Sequence, residues 1–264
     1  MAVDMFPRRF AQELQKLPAF IPANSSSIDR TPVPAWRPIF TALLLYCHST
    51  GYRLPSFASF KDQVKKAYTD KAHDGKYDGL FGPRMVEKMT ERMRVWYESG
   101  LAETYLYSCL VFAIEDKSKC GFVMYDPRFD FKQKWDCAVL IGGHRFGIDA
   151  FRGDESARVA TKAWRDQNER TTKRNTSESS HWEHRDREGW IELSAAVTNE
   201  EYRVVNGVRL FTIAMVNDLL EQIYKTAGVT NGYRLTPSDQ NPFDRGVSWI
   251  SAKQQADVSR KPDC

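Results

Sequence analysis

The sequence predicts an α+β fold, a helical N-terminal module followed by a mixed sheet flanked by helices. Three observations carry that expectation. Apolar residues recur at helical spacing up to about residue 100, aromatic and β-branched runs broken by turn dipeptides follow, and a last helical stripe occupies residues 212–227. Helices, then strands, then one long charged helix, strands again and a final helix is an α+β order.

The 264 residues are 42% hydrophobic, 12% aromatic and 27% charged, which supplies a buried core and excludes disorder as a class. The 38 basic and 34 acidic residues leave a formal charge of +4, which permits a polyanionic partner without requiring one. The longest unbroken apolar run, Ala42 to Cys47, is far short of the roughly 20 residues that cross a bilayer, so no membrane association is expected. Met5 and Phe6 lead directly into Pro7, Arg8 and Arg9 without the apolar stretch of a secretory signal, and a cytoplasmic location is expected. Cys47, Cys109, Cys120, Cys137 and Cys264 form no CxxC pair and are odd in number, which argues against a disulfide framework and a zinc ribbon.

The spacing predicts a short helix over 8–17 and a linker or surface arm from Pro22 to Pro34. Trp36, Ile39, Phe40, Leu43, Leu44 and Cys47 predict a buried helix stopped at Gly51. Ser56 can cap the next, with Phe57, Phe60, Val64 and Tyr68 on one face and Lys61, Lys65 and Lys66 on the other. A third, from Gly82-Pro83 to Gly100, carries the stripe Met85, Met89, Met93 and Trp96. From about Thr104 the β-branched and aromatic density predicts strands, first at Tyr105 to Ile114, where a buried helix is the alternative, then at Gly121 to Tyr125 after a turn over Asp116 to Lys119. Hairpins are predicted at Gly142-Gly143 and Asn206-Gly207, and the final helix is expected to stop at Gly228. The expected division is a helical module with its arm at 1–100, an α/β core at 101–228 and a loosely held tail at 229–264.

A two-residue loop at Gly142-Gly143 would pair Ile141 with His144, Val139 with Phe146, Cys137 with Ile148 and Asp136 with Asp149. Cys137, Val139, Ile141, Phe146 and Ile148 then form a core face, and Asp136, Ala138, Leu140, Arg145, Gly147 and Asp149 the other. Directly opposed carboxylates oppose pairing by up to about 1 kcal/mol. A divalent cation, Mg²⁺ or Mn²⁺, held by Asp136 and Asp149 would offset that. The competing reading is a shifted register that leaves both acids solvated.

This hairpin, with the element order of roughly residues 100–228, resembles the PD-(D/E)xK nuclease-like superfamily, whose core carries an acid on one strand, a second on the neighbouring strand and a Lys two positions beyond. The resemblance implies a restriction-endonuclease-like fold, a metal on Asp136 and Asp149, and metal-dependent cleavage of DNA. Phe151 stands where that Lys is expected, so the lysine would come from Lys134, two residues before Asp136, or from Lys162 on the following helix. Glu98 and Glu103 are the candidates for a third acid from the preceding helix.

A helix is predicted from Glu155 to about Lys173, with Arg158, Lys162 and Arg165 inside a sector of about 60°. Between residues 158 and 174, Arg158, Lys162, Arg165, Arg170, Lys173 and Arg174 face only Asp166 and Glu169, a pattern suited to phosphate backbones, with Arg158, Lys162, Arg165 and Lys173 as the DNA contacts. A solvated helix face is the bland alternative. His181 and His184 lack further ligands nearby, and no Gly-rich phosphate loop or G-x-S-x-G elbow is present. Two other functions compete with a nuclease: non-catalytic DNA binding through a helix-turn-helix-like arrangement of the helices near 38–50 and 57–70, and an inhibitor or interaction protein with a protein partner.

Overall fold

The computed structural model of the chain describes residues 7–23, 53–69, 78–126, 135–152, 189–197 and 202–240. Helix α1 (Pro7–Gln15) begins on a proline, whose missing N–H is one a first turn leaves unbonded in any case, and buries Phe10, Ala11 and Leu14. Helix α2 (Phe57–Thr69) is capped as expected, the Ser59 N–H donating to Ser56 Oγ at 3.1 Å. Its Phe60, Val64 and Tyr68 are buried, and Lys61, Lys65 and Lys66 are exposed. The helix expected near 36–47 lies outside the described residues.

Helix α3 (Val86–Leu110) passes through Gly100 instead of stopping there. The stretch from Tyr105 is the buried helix of the alternative reading and not a strand, continuing into a π-helical turn over Val111–Lys117. Of the residues from Tyr97 to Ile114, all but Ser99 and Glu103 are buried. A helix apolar on all sides loses the one-sided 3.6-residue pattern, and its β-branched and aromatic content then imitates a strand. The buried Thr104 and Ser108 hydroxyls are satisfied within the helix, Thr104 donating to the Gly100 carbonyl at 2.6 Å and Ser108 to that of Thr104 at 2.8 Å. The boundary expected near residue 100 therefore falls inside α3, and one buried cluster joins Phe10, Phe60, Tyr97 and Leu101 to Val139, Phe146 and Leu220.

The main sheet has the order β1 (Gly121–Met124), β2 (Cys137–Ile141), β3 (His144–Arg152), β4 (Trp190–Val197). The first three strands are antiparallel and β4 runs parallel to β3, so the sheet is mixed. A parallel neighbour requires a crossover; residues 153–188, which include the expected basic helix, lie outside the described residues. Gly142 and Gly143 have φ of +58° and +78°, the left-handed values of a two-residue turn that twists with its strands, and the register is the expected one from Cys137–Ile148 to Ile141–His144. The expected pairing of Asp136 with Asp149 is not part of the ladder, because the Asp136 N–H goes to the Ile148 carbonyl instead. Cys137, Val139, Ile141, Phe146 and Ile148 are buried on the face towards the core.

Strands β5 (Arg203–Val205) and β6 (Val208–Leu210) form the Asn206-Gly207 hairpin. Helix α4 (Ile213–Ala227) has Thr212 as its N-cap and Gly228, at φ +68°, as its left-handed stop. The tail expected from 229 onward is held in its first part. Leu235 is buried and exchanges hydrogen bonds with the Asn217 side chain at 2.8 and 3.0 Å, and a short helix α5 (Pro237–Gln240) follows; residues 241–264 lie outside the described residues. No helix among the described residues is long and apolar enough to cross a membrane.

Candidate functional site

The outer face of the sheet carries the acids. Asp149 lies on β3 beside Ser194 of the parallel β4. Asp136 precedes β2 by one residue, and the ladder closes around it in a particular way. Its N–H donates to the Ile148 carbonyl at 2.7 Å, and its carboxylate Oδ2 accepts the Ala150 N–H at 2.5 Å. A side-chain oxygen thus takes the place of a main-chain acceptor where regular pairing stops at Cys137–Ile148. Asp136 is held in orientation by the strand that carries Asp149, and both acids are half-buried.

The sequence places Ala138 and Gly147 beside the acids on the outer face. Trp135, just outside β2, folds its indole over Gly147, where an added Cβ would lie 2.2 Å from the ring. That contact explains a glycine in mid-strand and leaves Trp135, Ala138 and Gly147 buried. The Trp135 and Trp190 rings meet with centroids 5.0 Å apart. An isolated glycine inside an otherwise regular strand pattern was the sequence signal for such a close approach.

The two candidate third acids separate. Glu98 is 1% exposed and grips Arg209 of β6: its Oε1 accepts from Nε at 2.7 Å and from the Arg209 N–H at 3.2 Å, and its Oε2 accepts from a terminal guanidinium nitrogen at 3.0 Å. Burial pushes the Glu98 carboxyl above its ordinary value, against the lowering pull of Arg209. Glu98 is a tie between α3 and the second hairpin and no part of the acidic site. Glu103, one and a half turns on, borders the sheet. Burial first, then the charges of Asp136 and Glu103, hold the Cys137 thiol well above the usual cysteine range.

Hard carboxylate oxygens suit a hard divalent cation, and Asp136 and Asp149 are the residues here that could supply them. Among the described residues no group of three or more His, Cys, Asp or Glu is placed to hold a metal ion, so waters or a phosphate would complete the coordination. Lys134, Arg158, Lys162, Arg165 and Lys173, together with His181 and His184, lie outside the described residues, as does the Phe151 side chain. Cys109 and Cys137 are free and buried and Cys120 is free and half-buried; burial raises all three thiols, which therefore resemble inert core residues more than nucleophiles.

No protein-family model, no curated protein and no solved structure matches the chain.

Proposed function

We propose that the chain is a metal-dependent, nuclease-like protein that acts on the phosphodiester backbone of DNA at the end of the β2–β3 hairpin. The observation that carries this reading is the end of the β2–β3 hairpin, where Asp149 lies on β3 and Asp136, one residue before β2, is oriented by the Ala150 N–H. The mixed four-stranded sheet of an α+β fold is compatible with it. Asp136 and Asp149 would hold Mg²⁺ or Mn²⁺, which when bound supplies Lewis acidity towards a phosphodiester oxygen and makes a more acidic water. The chain's own residues position: the Ala150 N–H fixes the orientation of the Asp136 carboxylate. Lys134 or Lys162 would steady developing negative charge, and Arg158, Lys162, Arg165 and Lys173 would bind the flanking backbone.

The test is plasmid nicking in Mn²⁺ by the wild type and by D136N/D149N. Asparagine keeps an oxygen to accept the Ala150 N–H while removing the charge, so the fold survives. Cleavage in the wild type and its loss in the double variant is the expected result, and equal cleavage by both would dispose of the reading. Non-catalytic DNA binding is the second reading, favoured by the exposed Lys61, Lys65 and Lys66 of α2. It predicts DNA binding without nicking, weakened when these lysines are replaced by glutamate.

A further inference from the structure

The outer sheet face is ordered in rows. At the end away from the acids, cross-strand pairing aligns Phe122 of β1, Leu140 of β2, Arg145 of β3 and Trp190 of β4. The next row holds Met124, Ala138, Gly147 and Glu192, and the next Asp149 and Ser194. Phe122 is 70% exposed and Met124 41%, Arg145 is exposed, and Leu140 and Trp190 are half-buried. A phenylalanine turned out to water on a sheet whose other face is a complete core gains nothing in folding. It stands instead at one end of a row with an arginine in it and an indole, propped by Trp135, at the other end.

We infer that this row is a stacking platform for single-stranded nucleic acid leading to the acidic end of the same face. Phe122 offers a π-face to one base and Trp190, three strand spacings away, to another further along the strand, and Arg145 between them meets a phosphate or stacks by its guanidinium plane. Strands about 4.8 Å apart put Phe122 about 10 Å from Arg145 and Trp190 one strand further on. Four residues along β3 put the row about 13 Å from Asp149, a span that a few nucleotides cover. A peptide strand added to the β1 edge is the competing occupant, and Glu115 opposes it. Its carboxylate already accepts the Val123 N–H at 2.6 Å, a main-chain donor that an added strand would need.

The inference rests on the phosphodiester reading for the direction of the strand, and its test separates the two. Anisotropy of a fluorescein-labelled single-stranded oligothymidylate, and of an adenine–thymine duplex of equal length, is measured with the full chain in EDTA for wild type, F122A, R145A and D136N/D149N. The wild type is expected to prefer the single strand. F122A and R145A are expected to bind it about tenfold more weakly with unchanged melting temperature, and D136N/D149N at least as tightly as wild type. Unchanged affinity in both F122A and R145A, a preference for duplex, or no binding by the wild type, as when Phe122 serves a protein partner, overturns the platform. Binding lost in F122A and R145A alongside nicking unaffected by D136N/D149N keeps the platform and rejects the two-carboxylate reading. The opposite pattern keeps the carboxylates and rejects the platform.

Discussion

At Asp136 one side chain serves both fold and site, and the two roles come apart by substitution. D136A leaves the half-buried Ala150 N–H without its acceptor and is expected to lower stability by about 1–2 kcal/mol in urea unfolding. D136N keeps the acceptor and should lie within about 0.5 kcal/mol of wild type. Equal losses in the two variants would mean that the charge, not the hydrogen bond, holds the strand end. Gly147 makes a steric prediction: with an added Cβ 2.2 to 2.7 Å from the Trp135 ring, G147A must displace the indole and is expected to cost about 1–3 kcal/mol. A shift in tryptophan emission should accompany that loss. Glu98 adds a dependence on pH. Burial raises its folded-state pKa, so its contribution to stability is fullest at pH below the ordinary carboxylate range and is lost as pH rises through the raised value. The stability of wild type minus that of E98Q, followed by urea unfolding from pH 4 upward, should therefore fall with rising pH. A rise would mean that Arg209 outweighs burial.

Among the elements, the second hairpin and the N-terminal arm are tied together through α3. Asn206 Nδ2 donates to the carbonyls of Leu14 and Leu17 at 3.0 and 2.7 Å, and the Phe20 N–H donates back to the Asn206 carbonyl at 3.0 Å. Arg94 donates to the Ile21 carbonyl at 2.6 Å while its guanidinium lies over Phe57. N206A should release this strap, costing about 2 kcal/mol and opening residues 7–23 to proteolysis before the rest of the chain. Resistance equal to wild type would show that the packing of Phe10 and Leu14 alone suffices. The elements also show what a sequence makes legible. Thr212 and Gly228 bound α4 because caps and stops are local chemistry, and Gly142-Gly143 sets the β2–β3 register because positive φ at both residues admits one kind of turn. Helix α3 misread as a strand after Gly100 because its identity depends on neighbours on every side: α1, the β5–β6 hairpin and the sheet all bury it. No window of the sequence contains that information.

Across the whole molecule, the half of the site that is local was legible and the half that is long-range was not. The core and outer faces of the β2–β3 hairpin from Cys137 to Ile148 follow from alternation, but the departure of Asp136 from that ladder, its side chain taking the Ala150 N–H, does not. The separation of Glu98 from Glu103 does not either, because it turns on Arg209, more than a hundred residues away. Nor does the row from Phe122 to Trp190, which needs the parallel pairing of β3 with β4. Asp136 and Asp149 lie near the end of a sheet face that also displays Phe122, Trp190, Arg145 and Glu192, and the central claim is that the two aspartates act together as a cation site. Thermal melting of wild type and D136N/D149N across a Mn²⁺ titration measures that directly. If Asp136 and Asp149 share the ion, the wild type should melt about 5 °C higher at a hundredfold excess over the dissociation constant, with no shift in the double variant. An equal shift in both proteins, or none in the wild type, would contradict the account.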